Sequence, residues 1–217
     1  RRFKKNLLIW AYRHAYKIVA VSSNTKREIL KIVPGLDIEI VNHGVDYGKF
    51  QITNSESQTN PEIQNLKPYI LSVGTLKKRK GYEYSVKAFA EVSEKFPELK
   101  YVIVGKGPER ENLKSQISNL KLERKIVFFD RVEEDFLIKL YHNAELFILL
   151  PQDDGKDIEG FGLVFLEAAA SGLPVLSSLG SGAEDAVLNN KNGFLVDRYN
   201  FKDIIEKTAL ILRSCSL

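Results

Sequence analysis

The stretch Tyr69-Ile70-Leu71-Ser72-Val73-Gly74-Thr75-Leu76-Lys77-Lys78-Arg79-Lys80-Gly81 joins a short apolar run to a glycine turn and four consecutive cations. An amphipathic segment follows near Gly81–Phe96, then a second apolar run at Tyr101–Val104 closed by Gly105, then a second amphipathic segment near Pro108–Leu120. Short runs of β-branched and aromatic residues alternating with longer segments of helical period predict strand–helix–strand units. The same rhythm extends outward. Further runs lie at Lys17–Val21, Ile38–Val41, Ile126–Phe129, Leu146–Leu150, Pro174–Ser177 and Phe194–Val196. The remaining helix-like segments lie near Asn24–Ile32, Glu133–Asn143, Phe161–Ser171, Gly182–Asn189 and Asn200–Leu212. The expected fold is therefore α/β, a Rossmann-like parallel sheet with helices on both faces. Ligands of such sheets sit at the carboxyl ends of the strands.

Composition bounds the rest. The chain has 217 residues, 44% hydrophobic and 28% charged, enough to bury a sizeable core. No apolar stretch is long enough to span a bilayer, and no signal peptide opens the chain, so a cytoplasmic location is expected. The absence of methionine suggests a piece of a longer protein. A single cysteine, Cys215, excludes an internal disulfide framework and a Cys-rich metal site, and with no base near it reads as inert. Residues 1–33 carry nine Lys/Arg and one Glu, whereas the remainder carries 23 basic and 27 acidic residues. The basic character belongs to one terminal segment, and a nucleic-acid partner is not expected. Residues 1–17 place Phe3, Leu7, Trp10, Ala11 and His14 at three- or four-residue steps between cations, predicting an amphipathic helix. That helix either packs on another domain or touches anionic lipid at the inner face of a membrane. From Asp46 to Lys67 the chain turns polar and loses period, which reads as a loop or linker between two units, 1–43 and 44–217.

Three segments could carry chemistry. In Glu159-Gly160-Phe161-Gly162-Leu163-Val164-Phe165-Leu166-Glu167-Ala168 a glycine turn opens a helix whose first backbone N–H groups can meet an anion. The helix is apolar all round except for Glu167. A buried carboxylate needs donors, either the vicinal hydroxyls of a sugar or a backbone or Arg partner. The turn Lys77–Lys80 suits a diphosphate or is a solvated charged turn; it lacks the Walker order. Gly105-Lys106-Gly107-Pro108-Glu109-Arg110 begins like a dinucleotide fingerprint, but Arg110 replaces the third glycine, leaving a tight turn as the better reading. Asp153, Asp154 and Asp157 match no calcium loop and read as a mobile acidic lip. His14, His43 and His142 are scattered and read as structural.

Together these segments resemble the C-terminal, donor-binding domain of family 4 (group 1) glycosyltransferases. That family has the GT-B fold of two facing Rossmann-like domains. The resemblance rests on Val21-Ser22-Ser23, Asn42-His43-Gly44-Val45-Asp46, Ser72-Val73-Gly74 with Arg79-Lys80-Gly81, and Val104-Gly105-Lys106-Gly107-Pro108. It continues through the Glu-x7-Glu pair Glu159/Glu167, Ser171-Gly172-Leu173-Pro174-Val175 and Asp185-Ala186-Val187. It implies that Glu167 grips the nucleotide ribose, Glu159 contacts the transferred sugar and Lys80 meets the diphosphate. The backbone of Gly160, Phe161, Gly162 and Leu163 would hold sugar and phosphate. The Asp130-Arg131-Val132 loop would lie at the nucleobase, and Gly74 and Gly105 would line the cleft. Where the family often has an arginine, this chain has Thr75, and Arg79 or Lys77 is the substitute.

The resemblance further implies retention of anomeric configuration, no metal requirement and no cofactor. The substrate would be a nucleotide-diphosphate hexose, and the acceptor an unidentified sugar or lipid-linked glycan. Residues 1–43 would be the end of the acceptor-binding domain. The catalytic residues would lie on the rest of that domain, so this chain alone is expected to transfer nothing. On this division of labour, loss of Glu159 penalises only the sugar-bearing ligand. Alternatives are a nucleotide-sugar epimerase on the same fold, a non-catalytic nucleotide-sugar-binding module and, more remotely, a dinucleotide-dependent enzyme. The stretch from Asp157 to Ala170 looks like mannosyltransferases using GDP-mannose, though related UDP-sugar enzymes are very similar.

Overall fold

A computed structural model describes residues 2–51, 60–152 and 157–215, with backbone only for 2–5 and 215. Among the described residues eight strands form: β1 Ile18–Ala20, β2 Ile38–Ile40, β3 Tyr69–Val73, β4 Lys100–Val104, β5 Ile126–Phe129, β6 Leu146–Ile148, β7 Val175–Ser178 and β8 Gly193–Val196. The helices are α1 Arg2–His14, α2 Ser23–Ile32, α3 Pro61–Gln64, α4 Tyr82–Lys95, α5 Arg110–Asn119, α6 Glu134–Asn143, α7 Leu163–Ala170 and α8 Phe201–Cys215.

The last six strands make one sheet in the order β5-β4-β3-β6-β7-β8, every pair parallel. Strands buried on both faces read as near-continuous apolar runs; β3 is buried at all five positions, and its one polar residue, Ser72, is hydrogen-bonded to the Tyr101 hydroxyl at 2.7 Å. Tyr69 pairs with Lys100 and Val73 with Val104 on one side; Ile70 and Leu71 pair with Leu146 and Phe147 on the other. The helices divide between the faces. On one, α4 packs against α5 and α8, sinking Val86, Phe89 and Val92 into the core. On the other lie α3, α6 and α7, joined by Phe50 from a short turn at Tyr47–Phe50. The sheet grows outward from β3 to β4 and β5, then restarts beside β3 with β6. The crevice between the carboxyl ends of β3 and β6 is the topological switch point.

The expected α/β architecture stands, with local corrections. The segment expected as a helix over 182–189 is only a short turn, Gly182–Asp185, capped by the Ser181 side chain. The polar linker over 46–67 contains the Tyr47–Phe50 turn and α3, because Asp46 and Asn60 each cap a turn and Phe50 and Ile63 reach the core. Its residues 52–59, like Asp153 and Asp154 of the acidic lip and the Cys215 side chain, lie outside the described residues. The amphipathic helix at the start is α1, with Leu7, Leu8 and Trp10 exposed. Strands β1 and β2 form a separate parallel pair. Among the described residues no helix is long and apolar enough to cross a membrane.

Candidate functional site

The chain leaves β3 through Gly74, whose φ of 145° belongs to glycine. Gly74 donates to the Val104 carbonyl at 2.9 Å and accepts from the Tyr82 hydroxyl at 2.8 Å. Gly105 touches it so closely that an added Cβ would stand 2.0 Å from the Gly74 oxygen. Its role is therefore to let two backbones meet, and the fingerprint-like spacing around it has that structural meaning.

Beyond Gly74 the four cations are divided. Lys78 is exposed, whereas Lys80 is buried with Nζ 2.7 Å from Glu159 Oε2. Arg79 also donates to Glu159 through Nη1, and through Nε to Asp157 at 2.9 Å; Lys77 reaches Asp157 at 3.4 Å. Buried charges persist only when paired and hydrogen-bonded. Here the buried Glu159 carboxylate partners two cations at once. Burial works against ionisation of Asp157, but the Arg79 and Lys77 charges and their hydrogen bonds outweigh it and hold the carboxyl below its usual range.

Gln152, four residues past the end of β6, ties the two rims together. Its backbone N–H donates to the Arg79 carbonyl at 2.8 Å and its amide to the Lys78 carbonyl at 2.9 Å, while its side-chain oxygen accepts from Tyr84 at 3.0 Å. Nothing in the local sequence marks this residue, because its partners lie about seventy positions away.

The glycine turn follows. Gly162 has φ +84°, makes no side-chain cap, and leads into α7. The N–H groups of a helix's first turn have no intrahelical partner and carry its positive end, so they are available to an anion. Helix α7 begins at Leu163, two residues later than expected, because the left-handed Gly162 cannot be its first residue. A Cβ on Gly162 would lie 2.5 Å from the Phe165 ring and 3.5 Å from Glu159 Oε1, so the turn and the carboxylate are neighbours. The turn is clamped from its flank. Asn24 donates to the Glu159 carbonyl, Thr25 to the Gly160 carbonyl, and Gly182 packs its backbone onto both. Ser23 grips Asp185 through N–H and hydroxyl at 2.5 and 2.9 Å. The motif residues near 22 and near 185 are thus one contact, which no sequence spacing announces.

Glu167 is half-buried rather than fully buried, and its Oε2 accepts from the Tyr141 hydroxyl at 2.8 Å. Among the described residues its carboxylate has no backbone or arginine hydrogen-bond partner. Burial, then the Glu167 charge, pushes the Tyr141 hydroxyl well above its ordinary range, so it stays a donor. Arg131 is exposed and Val132 half-buried at the end of β5, two strands from Gly74 along the same rim. Of the residues the sequence singles out, the fold joins Gly74, Arg79, Lys80, Glu159 and Gly162 into one cluster. It places Gly160, Phe161 and Leu163 on the adjoining turn, and Glu167 one helical turn deeper. Of the histidines, His142 bonds the Phe50 carbonyl at 2.7 Å, His14 bonds Trp10, and His43 meets the Phe161 ring edge-on. Among the described residues no group of three or more His, Cys, Asp or Glu could hold a metal ion.

A parallel sheet with a cationic turn, carboxylates and a helix N-terminus at its switch point defines a doubly wound α/β domain with a polar crevice suited to an anionic ligand. The chain belongs to the group 1 glycosyl transferases, whose family model matches residues 54–215. It is 32% identical over 180 residues to an uncharacterized glycosyltransferase of Haemophilus influenzae, covering 78% of this chain and 48% of that protein. It is 30% identical over 168 residues to a GDP-mannose-dependent alpha-(1-6)-phosphatidylinositol monomannoside mannosyltransferase of Mycolicibacterium smegmatis, covering 76% and 44%. The chain thus spans less than half the length of these relatives. Among solved structures, sucrose-phosphate synthase from Thermosynechococcus elongatus superposes over 100% of this chain and 54% of its own, with TM-score 0.83 and 20% identity. Anabaena HepE in complex with UDP-glucose does so over 99% and 57%, with TM-score 0.79 and 22% identity. The fold is one half of the GT-B arrangement.

Proposed function

We propose that the chain is the donor-binding domain of a retaining, family 4 glycosyltransferase that takes a hexose from a nucleoside diphosphate sugar. The observation that carries this reading is the buried pairing of Lys80 and Arg79 with Glu159 at the switch point, beside the N-terminus of α7. In this reading the diphosphate lies on Lys80, Arg79 and the α7 N-terminus, Glu159 faces the sugar and Glu167 the ribose. The base lies near Arg131 and Val132. A leaving diphosphate gathers negative charge in the transition state, and preorganised cations and backbone dipoles stabilise that charge without a metal. Residues 1–43 are the end of an acceptor domain, which supplies the catalytic groups; the isolated chain transfers nothing. The names of the two similar proteins that state a nucleotide point to GDP and UDP respectively, so the base is left to experiment. A thermal-shift panel of UDP-, GDP- and ADP-sugars decides it. Ligand at ~100 times its dissociation constant adds about 2.7 kcal/mol of stability, and no shift with any of them overturns the reading.

Peripheral membrane contact on the cytoplasmic side is part of the same proposal. It rests on α1, where exposed Leu7, Leu8 and Trp10 stand with the exposed cation Arg13. Co-sedimentation of the protein with vesicles should rise when anionic lipid is included; equal recovery on neutral vesicles removes this part.

A further inference from the structure

Glu167 is the one charged residue of an apolar helix, and one of its oxygens is already committed. The Tyr141 hydroxyl on α6 donates to Oε2 at 2.8 Å. That phenol cannot wander. It is fully buried, its ring meets Phe50 edge-on at 6.1 Å and Phe147 at 5.9 Å, and Phe147 in turn meets Phe165 of α7 at 5.7 Å. A hydroxyl has a single proton to give, and here it goes to the carboxylate.

A glutamate has three rotatable bonds, and on a half-buried helix face it would sample several rotamers in the absence of a partner. Pinning Oε2 removes most of that freedom and leaves Oε1, which makes no hydrogen bond among the described residues, to accept from a ligand. We propose that Tyr141 is a positioning residue, which holds Glu167 in the one orientation that can accept hydrogen bonds from the two hydroxyls of a nucleotide ribose. The proposal rests on the reading of Glu167 as the ribose ligand and adds the device that makes it selective. Preorganisation of this kind raises affinity by removing an ordering cost from the binding step.

The test uses Tyr141→Phe, which deletes one oxygen and keeps the ring packing, with Glu167→Ala and the double variant. Calorimetric titrations use UDP and GDP, and their 2′,3′-dideoxy forms, on all four proteins. Tyr141→Phe should weaken the ribonucleotide that binds by about five- to tenfold. It should leave the dideoxy form within about twofold, since that form lacks the hydroxyls Glu167 would hold. In the Glu167→Ala background the same change should cost nothing further. A purely structural tyrosine would weaken both forms equally, and that result, or additive losses in the double variant, overturns the proposal. The two levels fail differently. If Glu167→Ala discriminates ribose from dideoxyribose but Tyr141→Phe does not, only the positioning role falls. If Glu167→Ala discriminates neither, the ribose reading and the positioning role fall together.

Discussion

Glu159→Gln is expected to melt lower than the parent protein yet bind a bare nucleoside diphosphate more tightly. The substitution keeps the shape and removes the charge that neutralises Lys80 and Arg79. Lys80 is 7% exposed and would be left poorly hydrated and without its carboxylate, whereas Arg79 keeps Asp157. Removing one partner of a buried pair costs several kcal/mol; because Arg79 retains a partner, about 2–3 kcal/mol is expected here. For a chain of this size that is roughly 5–10 °C in Tm. A diphosphate restores the missing negative charge, and it no longer competes with a carboxylate for the two cations. Affinity for UDP or GDP, whichever the protein binds, should rise about tenfold, or about 1.4 kcal/mol. Nucleotide-sugar should gain less, having lost its sugar contact. Both readings need phosphate-free buffer. The resemblance alone assigns Glu159 to the sugar and leaves the bare nucleotide indifferent to it; the ion pairs change that expectation. An unchanged or weaker affinity for the bare diphosphate would show that Lys80 and Arg79 do not meet it.

Gly81→Ala should cost the most stability of any single methyl in the chain's basic turn. Gly81 has φ +68°, and an added Cβ would stand 1.7 Å from the Leu150 carbonyl oxygen, which is backbone and cannot swing aside. Left-handed strain adds to overpacking, for a loss of about 4 kcal/mol, a large part of the stability of an ordinary domain. Gly172 is the control: its φ is +75°, but nothing lies within 4 Å of an added Cβ. Gly172→Ala should therefore cost only the conformational strain, about 1–2 kcal/mol. Urea unfolding of the two variants separates conformation from contact. Equal midpoints would mean that the basic turn and the loop after β6 do not approach as closely as the fold requires.

Some of this was legible in the linear chain. The strands β3 and β5 were readable to the residue, because each is a short run rich in β-branched and aromatic residues that ends at a turn, at Gly74 and at Asp130. The carboxyl-end placement of Gly74, Lys80 and Glu159 followed from the strand–helix alternation alone. Other features needed the third dimension. The turn at Gly182–Asp185 looked like the start of a longer helix; its position is set by the packing of Gly182 on the backbone of Glu159 and Gly160, a contact local sequence does not record. Glu167 could be recognised as an anomaly, since a charge in an apolar helix demands a donor, but the donor sits on another helix. Tyr141 reads in sequence as one more core aromatic. Gln152 and the Ser23–Asp185 contact are invisible for the same reason. Local sequence records periodicity, caps and turns, whose partners lie within a few residues. The geometry that pairs Lys80 with Glu159, Tyr141 with Glu167 and α2 with the glycine turn spans some 26 to 135 positions, and only the tertiary fold brings those partners together.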